Sequence, residues 1–409
     1  MGYQFTLDDV AFLRGRYGIK ALDVASSLEF SRASMIGDLT ELRSRYAPHD
    51  AAVAETVLAR RRAAGKIDHA ADLLFSDAAV QQATASAVAA YRAADIADRF
   101  PGALVADVTC SIGAELMALS AQSGLAGAVG SDIDPVRLAM AAHNLEVAGC
   151  LTGSRPATLL RADALTPTST ADVVIADPAR RNASGRVFRL DQLDPPLLEL
   201  LTVYAGRHLV VKCSPGLDYR SLRARFGFEG QVQIVSLDGG VREACLWTEV
   251  TGPENRATVL RTGADGAVSG YELTSDDPDD VDEAGIGEWI VDPDGAVVRA
   301  GLVRQYARRH GLRQIDPQIA YLTGDEVPAG ERGFRVIEQL PVAEKALRSA
   351  LAARNCGSLE ILVRGMDVDP DRLRKRLKLK GSNPLALVLT RVGRSGAAFL
   401  CEPGVRSEG

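Results

Sequence analysis

Leu104-Val-Ala-Asp-Val-Thr-Cys-Ser-Ile-Gly-Ala-Glu115 is the most informative segment of the chain. An apolar run closes on an acid, Asp107, a turn of small residues follows, and helix-compatible sequence resumes at Glu115. That order predicts a buried parallel strand, a tight turn and a helix N-terminus. Small side chains in such a turn let backbone N–H groups approach a ligand closely. Ser111 stands where a Gly-x-Gly turn would have its first glycine. Taken alone, the stretch could be an ordinary loop with Asp107 as a helix cap.

Three further strand ends follow in order. Ala128-Val-Gly-Ser-Asp132, Ala157-Thr-Leu-Leu-Arg-Ala-Asp163 and Ala171-Asp-Val-Val-Ile-Ala-Asp177 are each apolar runs ending in an acid, the last continuing into Pro178-Ala-Arg-Arg181. Strands alternating with helical segments predict a doubly wound parallel sheet, whose ligands lie beyond the carboxyl ends of the strands. Four carboxylates would then collect along one sheet edge. An acid on the second strand end, roughly 20 residues past the turn, suits hydrogen bonding to ribose hydroxyls. A nicotinamide-binding domain would want Gly-x-Gly-x-x-Gly, which Cys110-Ser-Ile-Gly-Ala-Glu115 does not supply.

This arrangement resembles the class I S-adenosylmethionine-dependent methyltransferases, which implies an α/β, Rossmann-like, seven-stranded sheet and S-adenosyl-L-methionine as cofactor. By that resemblance Asp107, Thr109, Cys110 and Gly113 belong to the first cofactor motif and Asp132, with Asp134, to the ribose-binding second. Asp163 and Ala164 would face the adenine amino group, and Asp177-Pro178-Ala179-Arg180 would stand where substrate meets the methyl group. His208–Ser214, Val232–Leu237 and Ala244–Val250 fit the last three strands of that family. A segment before the first strand often closes over the methionine end of the cofactor, as a Phe-Ser element does in trimethylguanosine-cap synthases. Phe75 and Gln82 are the candidates here; a core Phe75 and a solvated Gln82 are the plain alternative.

The chain has 409 residues, enough for two or three domains, and a net charge of −6, which argues against a surface wholly coated by nucleic acid. No apolar run reaches the roughly 18 residues of a membrane span, and the N-terminus has no secretion signal, so a cytoplasmic protein is expected. Cys110, Cys150, Cys213, Cys245, Cys356 and Cys401 are scattered without any Cys-x-x-Cys, so neither a zinc site nor a disulfide framework is expected.

Residues 1–95 read as helical, with Thr6 as a first N-cap, an Ala- and Arg-rich helix over 51–64 and a single helix over 81–97. The cofactor domain is expected over 96–251. An acidic linker or insert follows over 252–285, where Asp276-Asp-Pro-Asp-Asp280 reads as solvated loop rather than a metal site. Residues 286–409 alternate strands and helices in an α+β pattern, with 386–391 as the final strand.

That last region resembles the THUMP-like domain that closes a bacterial family of class I methyltransferases. The matching words include Leu359-Glu-Ile361 with Arg364-Gly365, then Asp369-Pro370 leading to Leu373-Arg-Lys-Arg-Leu377. Asp177-Pro-Ala-Arg-Arg181 is also characteristic of that family. THUMP domains bind RNA, so the resemblance implies an RNA partner, ribosomal or transfer. Arg372, Arg374, Lys375, Arg376, Lys378 and Lys380 concentrate positive charge on one predicted helix, with leucines at 373, 377 and 379 for its apolar stripe. A cationic face of this kind suits phosphates; a solvated surface helix is the plain alternative.

Amino-directed members of the larger family carry Asp/Asn-Pro-Pro-aromatic at the fourth motif. There the acid accepts hydrogen bonds from the target amine and the ring stacks on the base. This chain keeps Asp177 and Pro178 but places Ala179 and Arg180 in the later positions. Arg180 and Arg181 suit stacking or phosphate contact instead, or a structural salt bridge. A second option is 5-methylpyrimidine chemistry, with Cys213 as nucleophile and Glu243 as base. A third is a non-catalytic RNA-binding or assembly factor on a methyltransferase fold.

Overall fold

The computed structural model describes residues 3–180 and 193–407. It divides into two compact units, Met1–Val232 with Arg242–Thr251, and Gln233–Val241 with Gly252–Gly409.

The first unit opens with six helices, α1 Leu7–Arg14, α2 Arg16–Ser26, α3 Met35–Tyr46, α4 Asp50–Ala63, α5 Asp77–Gln82 and α6 Ser86–Arg99. Thr6 caps α1 as expected: its hydroxyl accepts the Asp9 N–H at 3.1 Å while the Asp9 carboxylate accepts the Thr6 N–H at 2.9 Å. The helix expected over 81–97 is instead two helices. Ala83 turns extended and closes α5, and Ser86 opens α6 while tied to an earlier loop. Its N–H donates to the Lys66 carbonyl and its hydroxyl accepts the Asp68 N–H, both at 2.9 Å. These partners lie far back in the chain, so local helix propensity does not reveal the break.

Then come β1 Leu104–Asp107, α7 Ala114–Ser120, β2 Gly127–Asp132, α8 Pro135–Val147, β3 Thr158–Arg161 and β4 Val173–Ala176. They are followed by the short pair β5 Ala179–Arg180 and β6 Leu193–Asp194, then α9 Leu197–Val203, β7 His208–Cys213 and α10 Tyr219–Phe226. The hairpin β8 Gln231–Leu237 and β9 Gly240–Trp247 carries the chain into the second unit and back. The strand order β3-β2-β1-β4-β7-β9 is parallel except for β9, which runs antiparallel to β7. Strands covered on both faces need continuous apolar runs; Val173, Val174, Ile175 and Ala176 of β4 are all buried. The core beneath the sheet joins Val105, Leu116, Ile175, Val210 and Trp247. Asn144 of α8, fully buried, ties the helical region to the turn after β1. Its side chain accepts the Leu74 N–H at 2.7 Å and donates to the carbonyls of Leu74 and Ile112.

In the second unit, residues 255–274 form a β-hairpin, β10 Asn255–Thr262 with β11 Val268–Thr274, inside the segment expected as linker. The remainder runs β12 Trp289–Asp292, α11 Gly295–Ala300, α12 Val303–Arg309, β13 Arg313–Gln314, β14 Leu322–Gly324, β15 Arg332–Leu340, α13 Glu344–Ala353, β16 Cys356–Arg364, α14 Pro370–Leu377, β17 Asn383–Val392, β18 Ser395–Cys401 and β19 Val405–Arg406. The strand expected to be last, β17, is followed by β18, its antiparallel partner across a tight turn at Gly393, and by β19. Leu373 and Leu377 of α14 pack on the sheet with Leu359, Ile361 and Leu387, as their spacing required. Among the described residues no helix is long and apolar enough to cross a membrane.

Candidate active site

Parallel strands end on the same side, so β1, β2, β3 and β4 bring Asp107, Asp132, Asp163 and Asp177 to one sheet edge. The turn after β1 is held in left-handed backbone at two places, Ser111 at φ 48° and Gly113 at φ 85°. Ser111 therefore takes the conformation a glycine would take there, at a backbone cost of about 1 kcal/mol or more. Its N–H donates to Asp132 Oδ2 at 3.0 Å, and the Asp134 N–H donates to Asp132 Oδ1 at 2.8 Å. Close approach of the turn to β2 requires Gly130, where a Cβ would lie 2.2 Å from a Leu116 methyl and 3.1 Å from the Cys110 sulfur.

Asp107 is only 3% exposed, and its carboxylate accepts the Thr109 N–H at 3.0 Å. Burial, reinforced by the nearby Glu115 carboxylate, pushes its pKa up to about 7. The Thr109 hydroxyl accepts the Asp177 N–H at 2.6 Å, which joins the first motif to the fourth. Cys110 is buried, and burial together with Asp107 and Asp132 drives its thiol well above the ordinary range. Asp134 is occupied as the N-cap of α8, accepting the N–H groups of Val136 and Arg137. Asp163 is exposed and accepts the Leu165 N–H at 2.8 Å, and the Ala164 carbonyl accepts the Tyr204 hydroxyl at 2.7 Å.

Phe75 is not brought to this edge as an open surface: its ring is 0% exposed in the core of the helical region, while Gln82 is exposed at the end of α5. A covered ring in this core matches the plain alternative for Phe75. Pro178 is buried, and Arg180 contributes backbone to β5 opposite Leu193. The Arg180 side chain and Arg181 lie outside the described residues.

The sequence reading missed a buried chain of charges behind Asp177. Lys212, near the end of β7, donates from Nζ to Asp177 Oδ2 at 2.6 Å and lies 3.3 Å from Glu115 Oε1. Glu115, in the first turn of α7, is paired with Arg92 of α6 at 3.2 Å, and Arg92 also pairs with Glu243 of β9. Burial would raise the Glu115 carboxyl, but Arg92 and Lys212 outweigh it and hold it below its usual range. Burial likewise disfavours the Lys212 ammonium, and Asp177 and Glu115 reverse that, raising it above the ordinary lysine value. The available signal was positional. Lys212 interrupts the apolar run of β7, and Arg92 falls on the stripe of Val88, Ala89, Ala93 and Ile96 along α6. Cys213 and Glu243 meet the same network. Burial, Asp177 and Glu243 push the Cys213 thiol far up, and Glu243 is held by Arg92 and accepts from the Cys245 thiol at 3.4 Å.

Strand order, turn and acidic strand ends together define a class I methyltransferase fold. The chain is 49% identical over 375 residues to an uncharacterized S-adenosylmethionine-dependent methyltransferase of Mycobacterium tuberculosis, in strains CDC 1551 and H37Rv alike. The match covers 88% of this chain and 99% of the relative. The chain belongs to this family of S-adenosylmethionine-dependent methyltransferases. Residues 331–403 match the family model described as THUMP domain-like. A solved structure of a candidate methyltransferase from Porphyromonas gingivalis W83 shares the fold, with a TM-score of 0.75 at 20% identity over 98% of this chain and 99% of that one.

Proposed function

We propose that the protein methylates a base in RNA, ribosomal or transfer, with Asp177 accepting a hydrogen bond from the target amine. The observation that carries this reading is the Asp177 carboxylate. One oxygen is held by Lys212 at 2.6 Å, yet the side chain is 40% exposed at the end of β4. A carboxylate with one oxygen fixed and, among the described residues, no hydrogen-bond partner on the other is an acceptor available to a ligand N–H. The family membership supports an enzyme over the non-catalytic factor.

The residues at the other strand ends fit the cofactor by donor chemistry. Each Asp132 oxygen has accepted one backbone N–H and keeps a lone pair for a ribose hydroxyl, and exposed Asp163 offers an acceptor for the adenine amine. S-adenosylmethionine would supply the methyl group on a sulfonium. The chain's part is to hold that group beside Asp177 and to keep the target amine oriented toward it.

The THUMP-like match supports RNA as the partner. On α14, Arg372, Arg374 and Arg376 have acidic neighbours at 3.4, 2.6 and 3.8 Å in Asp369, Asp371 and Glu344. Lys375, Lys378 and Lys380 are exposed beside them and are the better phosphate candidates. The 5-methylpyrimidine reading fits less well: it needs an accessible thiolate at position 213 and an unengaged base at 243. Nucleoside mass spectrometry of RNA from a deletion strain, complemented with wild type or Asp177→Ala, tests the proposal. One methylated base should vanish in the deletion and return only with wild type; its return with Asp177→Ala would refute the role given to Asp177.

A further inference from the structure

We propose that Lys212 is the positioning residue for Asp177, clamping Oδ2 so that Oδ1 is presented to the target amine. This rests on the role of Asp177 proposed above. Lys212 stands on β7 beside β4, whose Ala176 is in register with Val211, so its ammonium reaches the residue that follows β4. The side chain is 6% exposed, and its carboxylate neighbours Glu115 and Asp177 are 5% and 40% exposed. Of the five charged groups in this network, Arg92, Glu115, Lys212 and Glu243 are shut from water and only Asp177 reaches the surface. Glu115, itself held by Arg92, faces the Lys212 ammonium from behind, and a buried ammonium with fixed partners has little freedom to move.

Stability does not explain such an arrangement, because a well-packed apolar group of similar volume often serves as well as a buried ion pair. Orientation does. Asp177 follows the strand directly, and two contacts fix it there. Thr109 Oγ1 takes its backbone N–H, and Lys212 takes one side-chain oxygen. Without the second contact the carboxylate is free to rotate into solvent. Lys212 does not touch the substrate in this scheme; it acts through Asp177.

The test measures methyl transfer from labelled S-adenosylmethionine into total RNA isolated from a strain lacking the protein. Lys212→Met should lower kcat about 100-fold, with KM and S-adenosylhomocysteine affinity within about 2-fold of wild type. Lys212→Arg should recover activity to within about 10-fold of wild type, because it retains the charge and a donor. In an Asp177→Asn background, Lys212→Met should cost less than about 2-fold more, since residues that act as a unit are not additive. Additive losses, or no rescue by arginine, would overturn the proposal. Lys212→Met combined with Glu115→Gln restores charge balance should the single variant fail to fold. If wild type transfers no methyl to this RNA, the RNA reading fails by itself. Crystals of Lys212→Met then still decide the clamp: Asp177 should swing away from its place in the wild type, and an unmoved carboxylate refutes it.

Discussion

Thr109, in the turn after β1, and Asp177, directly after the adjacent parallel strand β4, are joined by a 2.6 Å hydrogen bond from the Asp177 N–H to the Thr109 hydroxyl. The turn proposed to face the cofactor thereby sets the backbone of the residue proposed to face the substrate. Thr109→Val keeps the shape and removes the acceptor. Leaving the N–H unpaired should cost about 1–3 kcal/mol. Thermal unfolding should show a fall of a few degrees, and kcat should fall more than cofactor affinity. Unchanged kcat with normal folding would show that the bond is dispensable.

Asp107 makes stability depend on pH. Its pKa is near 7 in the fold, chiefly from burial, against about 3.9 in the unfolded chain. The unfolded chain releases this proton first, so the contribution is complete below about pH 4 and is lost as pH rises through 7, on the order of a few kcal/mol. Urea unfolding at pH 5 and pH 8 should show wild type losing stability over that interval. Asp107→Asn should lose distinctly less; an equal loss would mean that another group titrates.

Arg92 neutralises two buried carboxylates, Glu115 and Glu243. Arg92→Met removes the partner of Glu243 and leaves Glu115 with Lys212, and breaking a buried pair costs about 3–5 kcal/mol. Denaturant midpoints should drop accordingly, and Glu243→Gln in the same chain should restore part of the loss. A variant as stable as wild type would show that water reaches the site.

Asp132→Ala removes the proposed ribose acceptor together with the acceptor of the Ser111 and Asp134 N–H groups. Calorimetry with S-adenosylhomocysteine should show affinity at least about 10-fold weaker, the scale of one charge-assisted hydrogen bond. Full affinity would remove Asp132 from the cofactor site.

Changing Lys375, Lys378 and Lys380 together to Ala should weaken binding to RNA and reduce the salt slope by about 0.7 per lost phosphate contact. Cofactor affinity should stay constant. Binding that keeps both its strength and its slope would place the RNA surface elsewhere.

The sheet edge and the acids along it were legible because their signals are local. Asp107, Asp132 and Asp177 each close a short apolar run, and a chain alternating such runs with helices has few ways to bury them other than a parallel sheet. Some elements escaped because their causes are distant. The break between α5 and α6 depends on Lys66 and Asp68, and β18 on pairing with β17. Phe75 was ambiguous for the same reason, since a phenylalanine beside a helix cap reads alike whether its ring is covered or open.

The strand ends, the acids they carry and the turn with Ser111 and Gly113 are written locally in the chain, because strand period, turn chemistry and capping act over a few residues. Which charges are buried together follows from packing. Arg92 meets Glu243 across 151 positions of chain and Lys212 meets Asp177 across 35. No local pattern encodes those meetings; the stacking of α6 and α7 and the neighbourhood of β4, β7 and β9 create them. In low dielectric, which carboxylate stays ionised and which rises toward neutral pH depends on the partners that packing supplies.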